Sequence, residues 1–210
     1  MESSICLQRS ESDLREFFIA VLAVELFMFV FFLECKVYDL STAMFFALSL
    51  GLLARGKFKG YYLLFPVACL NRETMFLLII FFMVYYVKRL ETRDWLTGVA
   101  YQGFVFVSIR LLLMAVFADN AGVPVLFRAW ENLADYIKYP WRSLLFFAGV
   151  LIIVWVCMRN WHEKPVLLRT AFVVFAPVLM VLYVLFGWAF EIRVFAEVYP
   201  VMWVMVLGKW

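Results

Sequence analysis

Residues 61–87 read YYLLFPVACLNRETMFLLIIFFMVYYV, two apolar runs (Tyr61–Leu70 and Met75–Val87) split by Asn71-Arg72-Glu73-Thr74. At a rise of ~1.5 Å per residue the first run covers only ~15 Å as a helix. Neither run alone crosses a hydrocarbon core of ~30 Å. Arg55, Lys57 and Lys59 precede the unit, and Lys88, Arg89 and Arg93 follow it. Positive charge marks cytoplasmic loops, so both ends belong on one side. The preferred reading is therefore a short helical hairpin over 60–88 with Asn71–Thr74 at its far tip. The alternative is one long helix, Gly60–Val87, which would send the two basic clusters to opposite sides.

The rest of the chain has the same character. Of its 210 residues 67% are hydrophobic and 17% charged, and the mean hydropathy is +0.92. Water-soluble domains run near ~45–50% apolar and ~25% charged. With 24 Phe, 10 Tyr and 8 Trp, the chain is too aromatic to stay solvated and disordered. Four Cys with no Cys-x-x-Cys pair exclude a disulfide scaffold and are expected to be free thiols. A net charge of +3, in short clusters beside apolar runs, gives no support to nucleic-acid binding. A polytopic membrane protein remains: an all-α bundle in one domain, residues 1–210, with about 7–8 membrane-embedded segments.

Apolar runs give its course. Phe17–Leu33, interrupted by Glu25, reads as a retained anchor, since acidic residues precede it and no small-residue cleavage site follows. Leu40–Ala54 comes next, then the hairpin, then Trp95–Ala118 with Gln102, Ser108 and Arg110 inside it. Over 126–139, Leu126, Trp130, Leu133 and Ile137 recur at helical spacing opposite Arg128, Glu131, Asn132, Asp135 and Lys138. That pattern predicts an amphipathic helix lying in the membrane interface, ended by Pro140. Leu144–Met158 and Val166–Trp188 span, and a final apolar piece ends at Leu207. With the basic loops and the N-terminus cytoplasmic, Glu34–Asp39, Asn71–Thr74 and Glu191–Glu197 all fall at the outer face.

Those three clusters hold the candidate chemistry. Arg72, with Asn71 and Thr74, suits an anion pocket at a helix start. The structural alternative has Asn71 capping the helix and Arg72 paired with a carboxylate from elsewhere. Glu191-x-Arg193-x-x-x-Glu197 puts Arg193 and Glu197 on one helical face, as a second phosphate ligand with its orienting acids or as an ion-pair network. Glu34 and Asp39 are candidate general bases, or oxygen ligands for a metal; ordinary loop charge is the plainer reading. Glu25 and Arg110, near mid-membrane, are read as a structural pair. His162 is the sole histidine, which argues against a zinc or bis-His haem site. No GxSxG, phosphate-binding Gly-rich loop, GxGxxG or HExxH motif is present.

Tyr38-Asp39 after the first span, Asn71-Arg72-Glu73-Thr74 opening a later helix and Glu191-x-Arg193 before Pro200 resemble the polytopic glycosyltransferases of the C superfamily (GT-C). The resemblance implies a sugar donor carried on polyprenyl phosphate at the extracytoplasmic face of a membrane, the bacterial inner membrane in many relatives. It implies Asp39, or else Glu34, as catalytic base, and Arg72 and Arg193 as phosphate ligands with Asn71; Glu73, Glu191 and Glu197 would orient them. No cofactor is expected, and a divalent metal is left open. A second reading is a non-enzymatic membrane subunit that scaffolds protein partners. A third is a small transporter.

Overall fold

Apolar runs bounded by charged turns become helices, because backbone groups shielded from water satisfy one another only within a helix or a closed barrel. The computed structural model describes residues 37–119, 127–189 and 195–208. Among them are eight α-helices: α1 Val37–Ala54, α2 Phe58–Asn71, α3 Phe76–Tyr86, α4 Thr92–Val116, α5 Ala129–Lys138, α6 Pro140–Met158, α7 Val166–Phe186 and α8 Tyr199–Leu207. Three of them, α4, α6 and α7, are long and apolar enough to cross a membrane; α1 and α3 contribute shorter apolar segments. The Phe17–Leu33 anchor lies outside the described residues.

Aromatic rungs record how α2 and α3 run. Phe58 meets Tyr86 with ring centroids 5.3 Å apart, and Tyr61 stacks on Phe82 at 6.2 Å. The first residues of α2 therefore face the last of α3, and the two helices are antiparallel about the Asn71–Thr74 break. Gly56, at φ +64°, makes the tight turn from α1 into α2, a conformation that costs glycine little. Tyr86 Oη donates to the Leu53 carbonyl at 2.8 Å, tying the end of α3 to the end of α1. The turns carrying Arg55, Lys57, Lys88 and Arg89 thus lie together at one end.

Two of the long helices, α7 and α4, pack on this centre. Phe175 of α7 meets Phe46 of α1 at 5.2 Å and Phe81 of α3 at 5.9 Å. Gly98 of α4 faces the hairpin closely: a Cβ there would lie 2.5 Å from Tyr62 Oη and 3.0 Å from the Phe82 ring. Gln102, one turn on, is fully buried yet satisfied, accepting from Tyr61 Oη (2.6 Å) and donating to the Gly98 carbonyl (3.0 Å). Elsewhere α4 turns Leu96, Phe104, Leu111 and Met114 outward.

Helix α5 begins at Ala129 rather than at 126, and one polar residue, Asn132, faces inward while Glu131 and Lys138 stay exposed. Asn132 is buried, its amide donating to the carbonyls of Gly187 (3.0 Å) and Val184 (3.3 Å), while Trp130 and Ile137 are exposed. Pro140 ends α5 and also opens α6, taking an early helical position where its missing N–H costs nothing.

Candidate functional site

The site forms where three distant pieces of chain meet at the end of the bundle away from the basic turns. Asp39 lies in the first turn of α1, not in a loop as expected, so the helix dipole favours its negative charge. Arg72 follows the last residue of α2 in extended backbone (φ −155°, ψ 148°), and a 3₁₀ turn, Glu73–Met75, leads into α3. Glu197 sits in the turn just before α8.

Arg72 Nη1 lies 3.1 Å from Asp39 Oδ1 and 3.6 Å from Glu197 Oε1. Thr74 Oγ1 donates to Glu197 Oε1 at 2.6 Å. Both carboxylates are buried, at 1% and 0% exposure, whereas the Arg72 side chain keeps 21%. Among the described residues, the buried Asp39 Oδ2 and Glu197 Oε2 find no hydrogen-bond donor. Burial pushes the Glu197 carboxyl above the usual carboxylate range; Arg72 and the Thr74 hydroxyl oppose that rise, and the charge of Asp39 adds to it.

Asn71 does not cap a helix start. It is the last residue of α2, and its amide bridges to α1: Oδ1 accepts from Ser41 Oγ and Nδ2 donates to Thr42 Oγ1, both at 2.8 Å. Glu73 turns the other way, 73% exposed, and stands 3.8 Å from Arg110 rather than beside Arg72. Arg110 Nη2 also donates to the Cys69 carbonyl at 2.8 Å, one of the orphan acceptors at a helix end. Arg110 thus has partners at the hairpin tip; Glu25, expected to pair with it, lies outside the described residues. So do Glu34, Glu191 and Arg193.

Of the sequence candidates, then, Asp39, Arg72 and Glu197 meet directly, and Asn71 braces them. Ser41 and Thr42 were not singled out from the sequence. Their signal was faint: an adjacent hydroxyl pair just after Asp39, at the mouth of an apolar helix. Among the described residues no three His, Cys, Asp or Glu side chains gather as a metal site. Next to Glu197, an apolar cavity of about 190 Å³ opens between α6, α7 and α8, lined by Phe146, Val150, Phe172, Met180, Phe195 and Val198 among others. Comparison with protein-family models, with curated proteins and with solved structures finds no match for this chain.

Proposed function

We propose that this chain is an integral membrane protein that binds a polyprenyl-phosphate-linked sugar at the extracytoplasmic end of its bundle and transfers the sugar to a hydroxyl acceptor. The observation that carries the reading is the convergence of Asp39, Arg72 and Glu197, remote in sequence, around one guanidinium nitrogen. With the basic turns cytoplasmic, that convergence faces the opposite leaflet. The α5 helix, its Trp130 and Ile137 turned outward, marks the headgroup level beside it.

Arg72 is the most exposed of the three charges, so an arriving phosphate meets the guanidinium first, and its planar fork suits phosphate oxygens. Phosphate competes with the carboxylates for Arg72, and in doing so releases Asp39 to accept the proton of the attacking hydroxyl. As the new glycosidic bond forms, the bond from the sugar to the phosphate oxygen breaks and polyprenyl phosphate leaves, its charge met by Arg72. The apolar cavity beside Glu197 suits part of an isoprenoid chain. The test is binding of polyprenyl phosphate to protein in nanodiscs. Arg72→Lys, which keeps the charge and loses the fork, is expected to weaken binding at least ~10-fold, a loss of ~1.4 kcal/mol. Asp39→Asn is expected to bind lipid but transfer no sugar. Binding unchanged in both Arg72→Lys and Arg193→Ala would end the proposal.

One observation favours a second reading, a membrane subunit without catalysis. The partners of both carboxylates, Arg72 and Thr74, both come from the hairpin tip, as in an ion-pair knot that fastens α1 and the chain before α8 to it. Co-purification of a stable membrane partner, with no lipid binding, would select it.

A further inference from the structure

Among the described residues, two carboxylates meet one guanidinium nitrogen at the tip, and each carboxylate has one oxygen that finds no donor there. An ionised carboxylate only accepts hydrogen bonds, whereas a protonated one has an O–H to give. Two buried carboxylates sharing one guanidinium nitrogen, both ionised, would put like charges side by side in a low-dielectric site, at a cost. A proton on either acid removes that cost and turns one of the two orphan oxygens into a donor.

We propose that Asp39 and Glu197 form a proton-binding dyad around Arg72 that holds one proton at neutral pH. This goes beyond lipid binding and needs no substrate. The surroundings favour it on every side among the described residues. The hairpin tip brings Arg72 and the Thr74 hydroxyl. Its other charge, Glu73, faces away toward Arg110 of α4. Helix α7 brings Tyr183 against Phe195, with its hydroxyl engaged by Tyr136 at 2.9 Å. On the α6 side, apolar Phe146 and Val150 share the cavity with Val198. Both acids are buried, and Glu197, whose carboxyl is pushed up by burial and by the charge of Asp39, is the member that keeps the proton.

The folded carboxyl binds its proton more tightly than the unfolded one. The stabilisation this brings is complete below the ordinary glutamate range and is lost as pH rises through the folded value. Thermal unfolding of detergent-solubilised protein from about pH 5 to 9 is expected to show the folded-to-unfolded ratio falling by up to ~10-fold per pH unit over part of that range, the limit for one proton. Glu197→Gln should flatten the profile, because the amide keeps the Thr74 bond and has no charge to bury. Infrared spectroscopy at neutral pH is expected to show a protonated-carboxyl carbonyl band that Glu197→Gln removes. In Asp39→Asn the band should vanish at lower pH than in the parent, since one carboxylate then balances one guanidinium. A parent protein without the band at neutral pH, or an unchanged pH slope in Glu197→Gln, overturns the proposal; the parent spectrum decides it even if a variant fails to fold.

Discussion

Arg72 and Arg110 flank the same hairpin tip with similar exposure, 21% and 24%, yet they do different work. Arg72 stands against two buried carboxylates from distant parts of the chain. Arg110 takes one backbone carbonyl at the end of α2 and a loose contact with exposed Glu73. The split arises at a single peptide. Arg72 is extended and Glu73 starts a 3₁₀ turn, so neighbouring side chains leave on opposite sides, one toward buried acids and one toward the surface. A buried charge that loses its partner is costly, while a half-solvated pair is nearly free to break.

That difference sets an order of effects. Arg72→Ala should be the most damaging change at the tip, because it strands Asp39 and Glu197 together; a loss of about 3–5 kcal/mol in unfolding free energy is expected. An effect below that of Arg110→Ala would break the comparison. Arg110→Ala removes a charge-assisted bond to the Cys69 carbonyl and should cost about 1.5–3 kcal/mol in the same assay, with little change in the pH profile. Asn71→Ala leaves the Ser41 and Thr42 hydroxyls without their amide partner and is expected to cost about 1–2 kcal/mol, seen as faster hydrogen exchange at the start of α1. Glu73→Gln is the smallest. An exposed pair at 3.8 Å should contribute no more than about 1 kcal/mol, and salt titration of the parent should erase it.

The hairpin was legible because charge and length agreed. Basic residues at both ends and short apolar runs between them favour a hairpin over a single crossing, and the Phe58–Tyr86 contact matches that geometry. The break at Asn71–Thr74 was legible for the same reason, since four polar residues cannot continue an apolar stripe. What Asn71 does there was not. Helix-start preference is a local rule, whereas its actual partners lie some thirty residues away in α1. Asp39 was expected in a loop because the apolar count begins at Leu40; the helix starts earlier, at Val37. Residues 126–139 carried a clear amphipathic pattern, but the pattern alone cannot say which side meets the protein. Asn132, bonded to carbonyls at the end of α7, faces the protein, while Glu131 and Lys138 stay exposed.

Composition and spacing by themselves determined a helical protein with segments long and apolar enough to cross a membrane, the places where its helices break, and the grouping of its basic turns. These follow from hydrocarbon thickness and from the cost of unpaired backbone groups, which act on each segment separately. Only the tertiary structure decided which charges meet. Asp39, Arg72 and Glu197 are read locally as three unrelated polar residues, and their pairing depends on how α1, the hairpin and the turn before α8 pack. No local rule carries that information, because a buried carboxylate gains a partner only when the whole bundle closes around it.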